Sequence, residues 1–266
     1  EHGGFYQAVV DGTYAKYGLE VKIVPGGPQA NNRLLLVAGR VDFFMGANMI
    51  QALDAVKEGV PTLAVASMFQ KDPIVYMSHP GVGLDRIEDL SKASAYFVGK
   101  DNLVTVFQWA KQTFGFREEK VKPYSFNPAP FIADRTSVQQ GYLTSEPYEV
   151  EKQGGFKPNV FLVADYGYDS YSTTIETRAE IVAQKPDLVQ RFVDASAIGW
   201  LIEFRLSGRL RMRCSTAPLR SVFRIGSAMA LPRSIYAASL PVTRTASAAY
   251  VRVATDAPGP ARRRCG

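Results

Sequence analysis

The chain has 266 residues, 46% of them hydrophobic, which is long enough for two domains and apolar enough for a buried core. Its net charge of +6 is unevenly placed: residues 204–266 hold 12 Arg, no Lys and one acid, leaving residues 1–203 with a net charge of −5. Both cysteines, Cys214 and Cys265, lie in the basic segment, and no apolar run approaches the roughly 18 residues of a membrane span. Residues 1–203 therefore offer no thiol nucleophile, no disulfide, no cysteine metal site and no spanning helix.

Residues 5–16 read as a helix, with Phe5, Ala8, Val9 and Tyr14 near helical spacing. Leu19 to Val24 alternates as a strand and is broken by Pro25-Gly26-Gly27-Pro28; a short helix over Asn31–Ala38 ends at Gly39. Val41–Met45 is a buried strand, Met49–Lys57 a helix closed by Gly59, and Thr62–Met68 and Ile74–Ser78 are strands. This rhythm implies βα units on a largely parallel sheet. After Pro80-Gly81 a second α/β series follows. Strands over Ala95–Val98, Val121–Phe126, Val138–Leu143 and Asn159–Ala164 are interleaved with helices at Val104–Phe114 and after Ser145. Thr173–Thr177 reads as an extended crossing back to the first series, and an amphipathic helix runs from Leu188 to Ile202. The organisation expected is lobe 1 over residues 1–80 with a return segment 172–203, lobe 2 over 81–171, and an Arg/Ala/Ser/Pro-rich tail over 204–266. Such a bias arises when GC-rich DNA is read in a shifted frame; a basic arm for nucleic acid is the rival reading, although such arms mix Lys with Arg.

Several segments share a spacing. Glu1-His2-Gly3-Gly4-Phe5-Tyr6-Gln7-Ala8 opens the chain, followed by Gly12, Tyr14, Gly18-Leu19-Glu20-Val21, Gly26-Gly27-Pro28-Gln29-Ala30-Asn31-Asn32 and Gly39. Val41-Asp42-Phe43-Phe44-Met45-Gly46 and Phe69-Gln70-Lys71-Asp72-Pro73 complete the series. Over roughly residues 1 to 203 the chain resembles the periplasmic substrate-binding proteins of ABC importers, in the branch related to thiamine-pyrimidine-precursor and sulfonate/nitrate binding proteins. The resemblance implies a two-lobed α/β fold of the type II kind with an interlobe cleft, lacking the family's first strand and atypical after about residue 203. It also implies capture by hinge closure, importer membrane subunits as partners, a monomer, and a location in the periplasm or on an extracytoplasmic lipid anchor. The chain starts inside a motif, so the upstream export segment is expected to have been removed or lost.

Ligands of open α/β sheets sit beyond the carboxyl ends of the strands, and that rule selects loops. His2 with Gly3 and Gly4 heads the first helix, where an imidazole and exposed backbone N–H groups suit a ligand; the alternative is a merely solvated helix start. Phe5 and Tyr6 offer rings for stacking, while one of the two is expected in the core. Gln29, Asn31 and Asn48 either reach the cleft or cap helices. The resemblance makes Gln70 a cleft residue. On the second lobe Tyr142 and Glu146 stand where a strand ends and a helix begins, so Glu146 either accepts from a ligand amino group or caps the helix. Thr105 precedes the helix carrying Trp109, and Tyr168 lies near the crossing, positioned to cover a ligand.

Catalytic templates are missing: no Ser–His–acid motif, His-Glu-x-x-His, Walker loop or Gly-x-Gly-x-x-Gly follows from the sequence, so no enzyme, metal or cofactor is expected. The fungal thiamine-pyrimidine synthase looks similar at its N-terminal segments but carries a cysteine-rich iron motif with no counterpart here. The function expected is extracytoplasmic capture of a small planar heterocycle such as a thiamine pyrimidine precursor, with no nucleic-acid partner.

Overall fold

A computed structural model describes residues 2–26, 32–206 and 249–254. The chain begins with α1 (Gly3–Val10) and α2 (Thr13–Lys16), two helices where the spacing predicts one. The break is at Asp11-Gly12: Gly12 takes φ 73°, and the Asp11 carboxylate accepts from the Thr13 N–H and hydroxyl, starting a new helix. Then come β1 (Glu20–Pro25), α3 (Asn32–Val37), β2 (Phe43–Asn48), α4 (Met49–Lys57) and β3 (Thr62–Phe69). Asn48 ends β2 and caps α4, its Oδ1 accepting from the Gln51 N–H at 3.2 Å.

The chain then builds a second sheet. Its elements are β4 (Ile74–Ser78), β5 (Tyr96–Val98), α5 (Lys100–Leu103), α6 (Val106–Phe114), β6 (Val121–Pro123), α7 (Ala129–Ala133), β7 (Val138–Tyr142), α8 (Glu146–Gly154) and β8 (Asn159–Leu162). β9 (Ser172–Arg178) returns to the first sheet, followed by α9 (Ala179–Gln184), α10 (Pro186–Leu206) and β10 (Ala249–Ala254). The first sheet has the order β1-β10-β2-β9-β3, the second β6-β5-β7-β4-β8. The expectation of largely parallel sheets needs correction. β9 and β10 are interleaved among β1, β2 and β3, so every ladder in the first sheet is antiparallel; in the second, only β5 pairs in parallel, with β6 and β7. The helical rhythm correctly placed β1, β2 and β3 in one direction, but the strands that fill the gaps come from far along the chain and leave no local signature.

Each sheet carries its own core. In the first, the Phe192 ring stacks on Tyr14 at 5.4 Å and on Phe43 at 4.0 Å, with Met45, Met68 and Ile175 around them. The Tyr14 hydroxyl shares a 2.8 Å hydrogen bond with Ser196, so this buried phenol is not left without a partner. In the second, β4 is buried on both faces: Ile74 and Tyr76 join Tyr96, Phe107 and Phe116, while Val75 and Met77 join Phe97, Phe131 and Val150. A strand covered on both sides reads as a continuous apolar run, and Ile74–Met77 does. No helix among the described residues is long and apolar enough to cross a membrane.

Candidate functional site

The two sheets meet where strand ends and helix starts of both face one another. Asn48, wholly buried, donates from Nδ2 to Thr105 Oγ1 at 3.4 Å, joining the start of α4 to the start of α6. Beside it Gln51 Nε2 donates to the Asp101 carbonyl at 3.0 Å. Both crossings run close by. Ser172 Oγ donates to the Ala47 carbonyl at 2.6 Å, and Asp72 Oδ1 accepts from the Ile74 N–H at 3.1 Å. Thr173, at the second crossing, has φ 51°, an unusual conformation for a β-branched residue and a local store of strain. Tyr168 is buried here with its ring 5.3 Å from Trp109; burial, then the Asp72 carboxylate, pushes its hydroxyl up to about 12.

Asn102 Oδ1 in α5 and Thr144 Oγ1 just after β7, like the Tyr168 hydroxyl, are buried without a hydrogen-bond partner. β5 and β7 are parallel neighbours, so the loops leaving their carboxyl ends put both atoms on one side. Gln140, also buried, turns its Oε1 to the Gly99 N–H at 3.1 Å in the same region. Unpartnered buried oxygens cost stability and mark where an external donor fits.

The other expected residues fall into separate groups. His2 is buried, its Nδ1 is without a partner, and its ring is 6.1 Å from Phe5; burial pulls its pKa down to about 3. Phe5 belongs to the core, edge-on to Trp200 at 5.8 Å, while Tyr6 is half-buried and burial raises its hydroxyl. Gly3 and Gly4 have a packing role. A Cβ on Gly4 would stand 2.3 Å from Trp200 Cγ, one on Gly199 2.3 Å from the Gly4 carbonyl oxygen, and one on Gly3 3.1 Å from the Glu203 carboxylate, so glycines let α1 and α10 cross closely. Gln70 folds its amide back to the Ser67 carbonyl at 3.4 Å. Glu146 is buried with its carboxylate taken up internally, accepting from the Tyr124 hydroxyl at 3.2 Å, the Tyr142 N–H at 2.8 Å and the Ser145 hydroxyl. Tyr142 places its ring in the core of the second sheet. Gln29 and Asn31 lie outside the described residues. Among the described residues, no three His, Cys, Asp or Glu side chains gather as a metal site would need.

One charged pair escaped the sequence reading. Glu176, in the middle of β9, is 1% exposed and receives Arg33 of α3 through Nη2 at 2.8 Å and Nε at 3.2 Å. The available signal was one charge in each of two otherwise uncharged runs, Arg33 before Leu34-Leu35-Leu36-Val37 and Glu176 after Ser172-Thr173-Thr174-Ile175.

Comparison with known proteins adds an independent line. The riboflavin-binding protein RibY of Chloroflexus aurantiacus is 27% identical over 203 residues, covering 73% of this chain and 56% of that protein. The present chain thus spans little more than half of that relative. Among solved structures, an ABC uptake transporter substrate-binding protein from Streptococcus pneumoniae with bound histidine superposes with a TM-score of 0.56 at 18% identity, covering 79% of this chain and 82% of that one. The aliphatic sulphonate-binding protein SsuA of Escherichia coli gives 0.46 at 16% identity, over 70% and 63%. The fold is that of the two-lobed periplasmic solute-binding proteins. With the profile of the NMT1/THI5-like family matching residues 1–204, the chain belongs to that family.

Proposed function

We propose that this chain captures a small planar heterocycle between its two lobes and presents it to the membrane subunits of an ABC importer, outside the cytoplasmic membrane. The observation that carries the reading is the pair of unpartnered oxygens, Asn102 Oδ1 and Thr144 Oγ1, beside the Asn48–Thr105 contact that joins the lobes. Asn102 Oδ1 accepts only and the Thr144 hydroxyl accepts or donates, so the ligand edge they suit bears an N–H or exocyclic amino group at Asn102 with a second polar group beside it for Thr144. Thiamine pyrimidine precursors have such an edge, and so has the ring system of riboflavin, the ligand in the name of the Chloroflexus relative. A ligand that touches both lobes stabilises the closed arrangement only by binding it better than the open one. Tyr168, buried beside Trp109 near the crossing, is the further contact we assign. In this reading Glu146 is a positioning group that holds the Tyr142–Ser145 turn at the mouth.

Titration with riboflavin and with a hydroxymethylpyrimidine tests this, using Thr144→Val and Asn102→Ala. Removing an unpartnered oxygen relieves the ligand-free protein, so Thr144→Val is expected to keep or raise the unfolding midpoint while weakening binding by about 1–3 kcal/mol. A variant that loses stability and keeps its affinity would show that the oxygen serves the fold, and would sink this site assignment. A product formed from either probe on incubation would favour a synthase over a binding protein.

A further inference from the structure

The Arg33–Glu176 pair joins the start of α3 to β9, with Glu176 level with Phe44 in β2 and Ala64 in β3. Arg33 is the second residue of α3, immediately after the segment that leaves the carboxyl end of β1. The Glu176 carboxylate leans toward Thr174, whose hydroxyl donates to it at 3.2 Å. It also lies over Gly46, where a Cβ would be 2.5 Å from both Glu176 Oε1 and Thr174 Oγ1. So the residue at 46 must be glycine for the carboxylate to sit there, two positions from Asn48 at the meeting of the lobes. Phe44 supports the arrangement, with the Arg33 guanidinium carbon 5.5 Å from its ring centre.

A buried ion pair is poor evidence of a stability role, since desolvating both charges offsets most of their attraction. The hydrogen bonding here is also one-sided. Glu176 takes the Nε and Nη2 N–H groups, while Nη1 has no acceptor among the described residues and the Arg33 side chain is 23% exposed. A guanidinium locked along one edge, with two N–H groups left on another, is a preorganised donor. Its charge is already neutralised by Glu176, so an oxyanion gains little net attraction from it, whereas a neutral carbonyl gains a fixed hydrogen bond.

From this we propose that Arg33, held by Glu176, is a specificity-determining residue that donates from Nη1 to a neutral carbonyl of the ligand and disfavours sulfonates. The proposal rests on the binding reading above and narrows it to heterocycles that carry a carbonyl edge as well as N–H groups. The experiment is a fluorescence-quenching titration of the full chain with riboflavin, which has ring carbonyls, beside calorimetry with ethanesulfonate. Arg33→Lys keeps a cation for Glu176 but has no second arm, so riboflavin affinity should fall about tenfold or more with the unfolding midpoint little changed. Glu176→Gln releases the charge of Arg33, so the preference for riboflavin over ethanesulfonate should shrink at least as much. Should Glu176→Gln fail to fold, Arg33→Lys decides alone. Unchanged riboflavin affinity in Arg33→Lys would overturn the proposal and leave the binding reading standing, whereas a wild-type preference for ethanesulfonate would overturn the proposal and the heterocycle reading together. If wild-type protein bound neither riboflavin nor the pyrimidine, both would fall together.

Discussion

His2 is the residue whose environment departs furthest from water in a way that experiment can read directly. Its imidazole is buried with Nδ1 unpartnered, and burial lowers its pKa from 6.5 to about 3. The neutral ring therefore belongs to the folded state, while the unfolded chain takes up a proton once the pH falls below 6.5. Stability tied to His2 is complete above that value and declines as the pH drops from 6.5 toward 3, by 1.36 kcal/mol per pH unit. Between pH 6.5 and pH 5 the loss should be about 2 kcal/mol. Chemical denaturation at the two pH values measures it, and His2→Gln, which cannot ionise, should flatten the difference. If the two proteins lose stability in parallel, His2 is not buried as a neutral group.

At the scale of elements, the crossing of α1 and α10 carries the clearest expectation. Gly4, Ala8 and Gly199 form a contact of small residues in which an added methyl group has nowhere to go, being 2.3 Å from the Gly4 carbonyl oxygen if placed on Gly199. Helix propensity alone would make Gly199→Ala stabilising by about 1 kcal/mol. Overpacking against a backbone atom works the other way and is larger, so Gly199→Ala should destabilise by about 1–3 kcal/mol; a urea titration gives the sign. The same crossing explains what the sequence withheld. Gly3-Gly4 at a helix start has the local look of a ligand loop, and only the partner helix, nearly 200 residues away, reveals a packing contact. Where periodicity is local the sequence was legible: Met49–Lys57 and Ile74–Ser78 are an element each with those bounds, because a capped amphipathic helix and a doubly buried strand declare themselves within one segment. The direction of ladders depends on partners such as Phe43 and Thr177 or Ile74 and Tyr142, and the charged pair on Arg33 and Glu176, 143 residues apart, which no local window contains. The candidate site was legible in part for the same reason. Asn48 and Thr105 were legible as helix starts, but that the two touch follows from the packing of one sheet on the other.

For the whole molecule, the question is what holds the lobes together when no ligand is bound. The Asn48–Thr105 bond is the informative contact, because Asn48 has two roles that substitutions can separate. Asn48→Ala would remove both the α4 cap and the bond, mixing a loss of about 1 kcal/mol of helix stability with any change in lobe position. Thr105→Val leaves the cap alone and keeps the shape of the side chain. It strands the Asn48 amide, which is wholly buried, without its acceptor, and that costs about 1–3 kcal/mol for as long as the lobes stay in contact. Separation of the lobes lets water solvate the amide, so the cost falls on the closed arrangement and not on the open one. Thr105→Val should therefore shift the ligand-free population toward open forms by roughly a factor of five or more, given 1.4 kcal/mol per tenfold change. Small-angle scattering would register this as a larger radius of gyration for Thr105→Val than for wild type without ligand, with the gap narrowing at saturating ligand. Gln51→Ala, which removes the bond to the Asp101 carbonyl at an exposed position, is the matched control and should move the radius much less, since water replaces that partner in place. Equal radii for all three proteins would mean that the contact lies on a surface which does not open, and hinge closure would then have to be sought elsewhere in the chain.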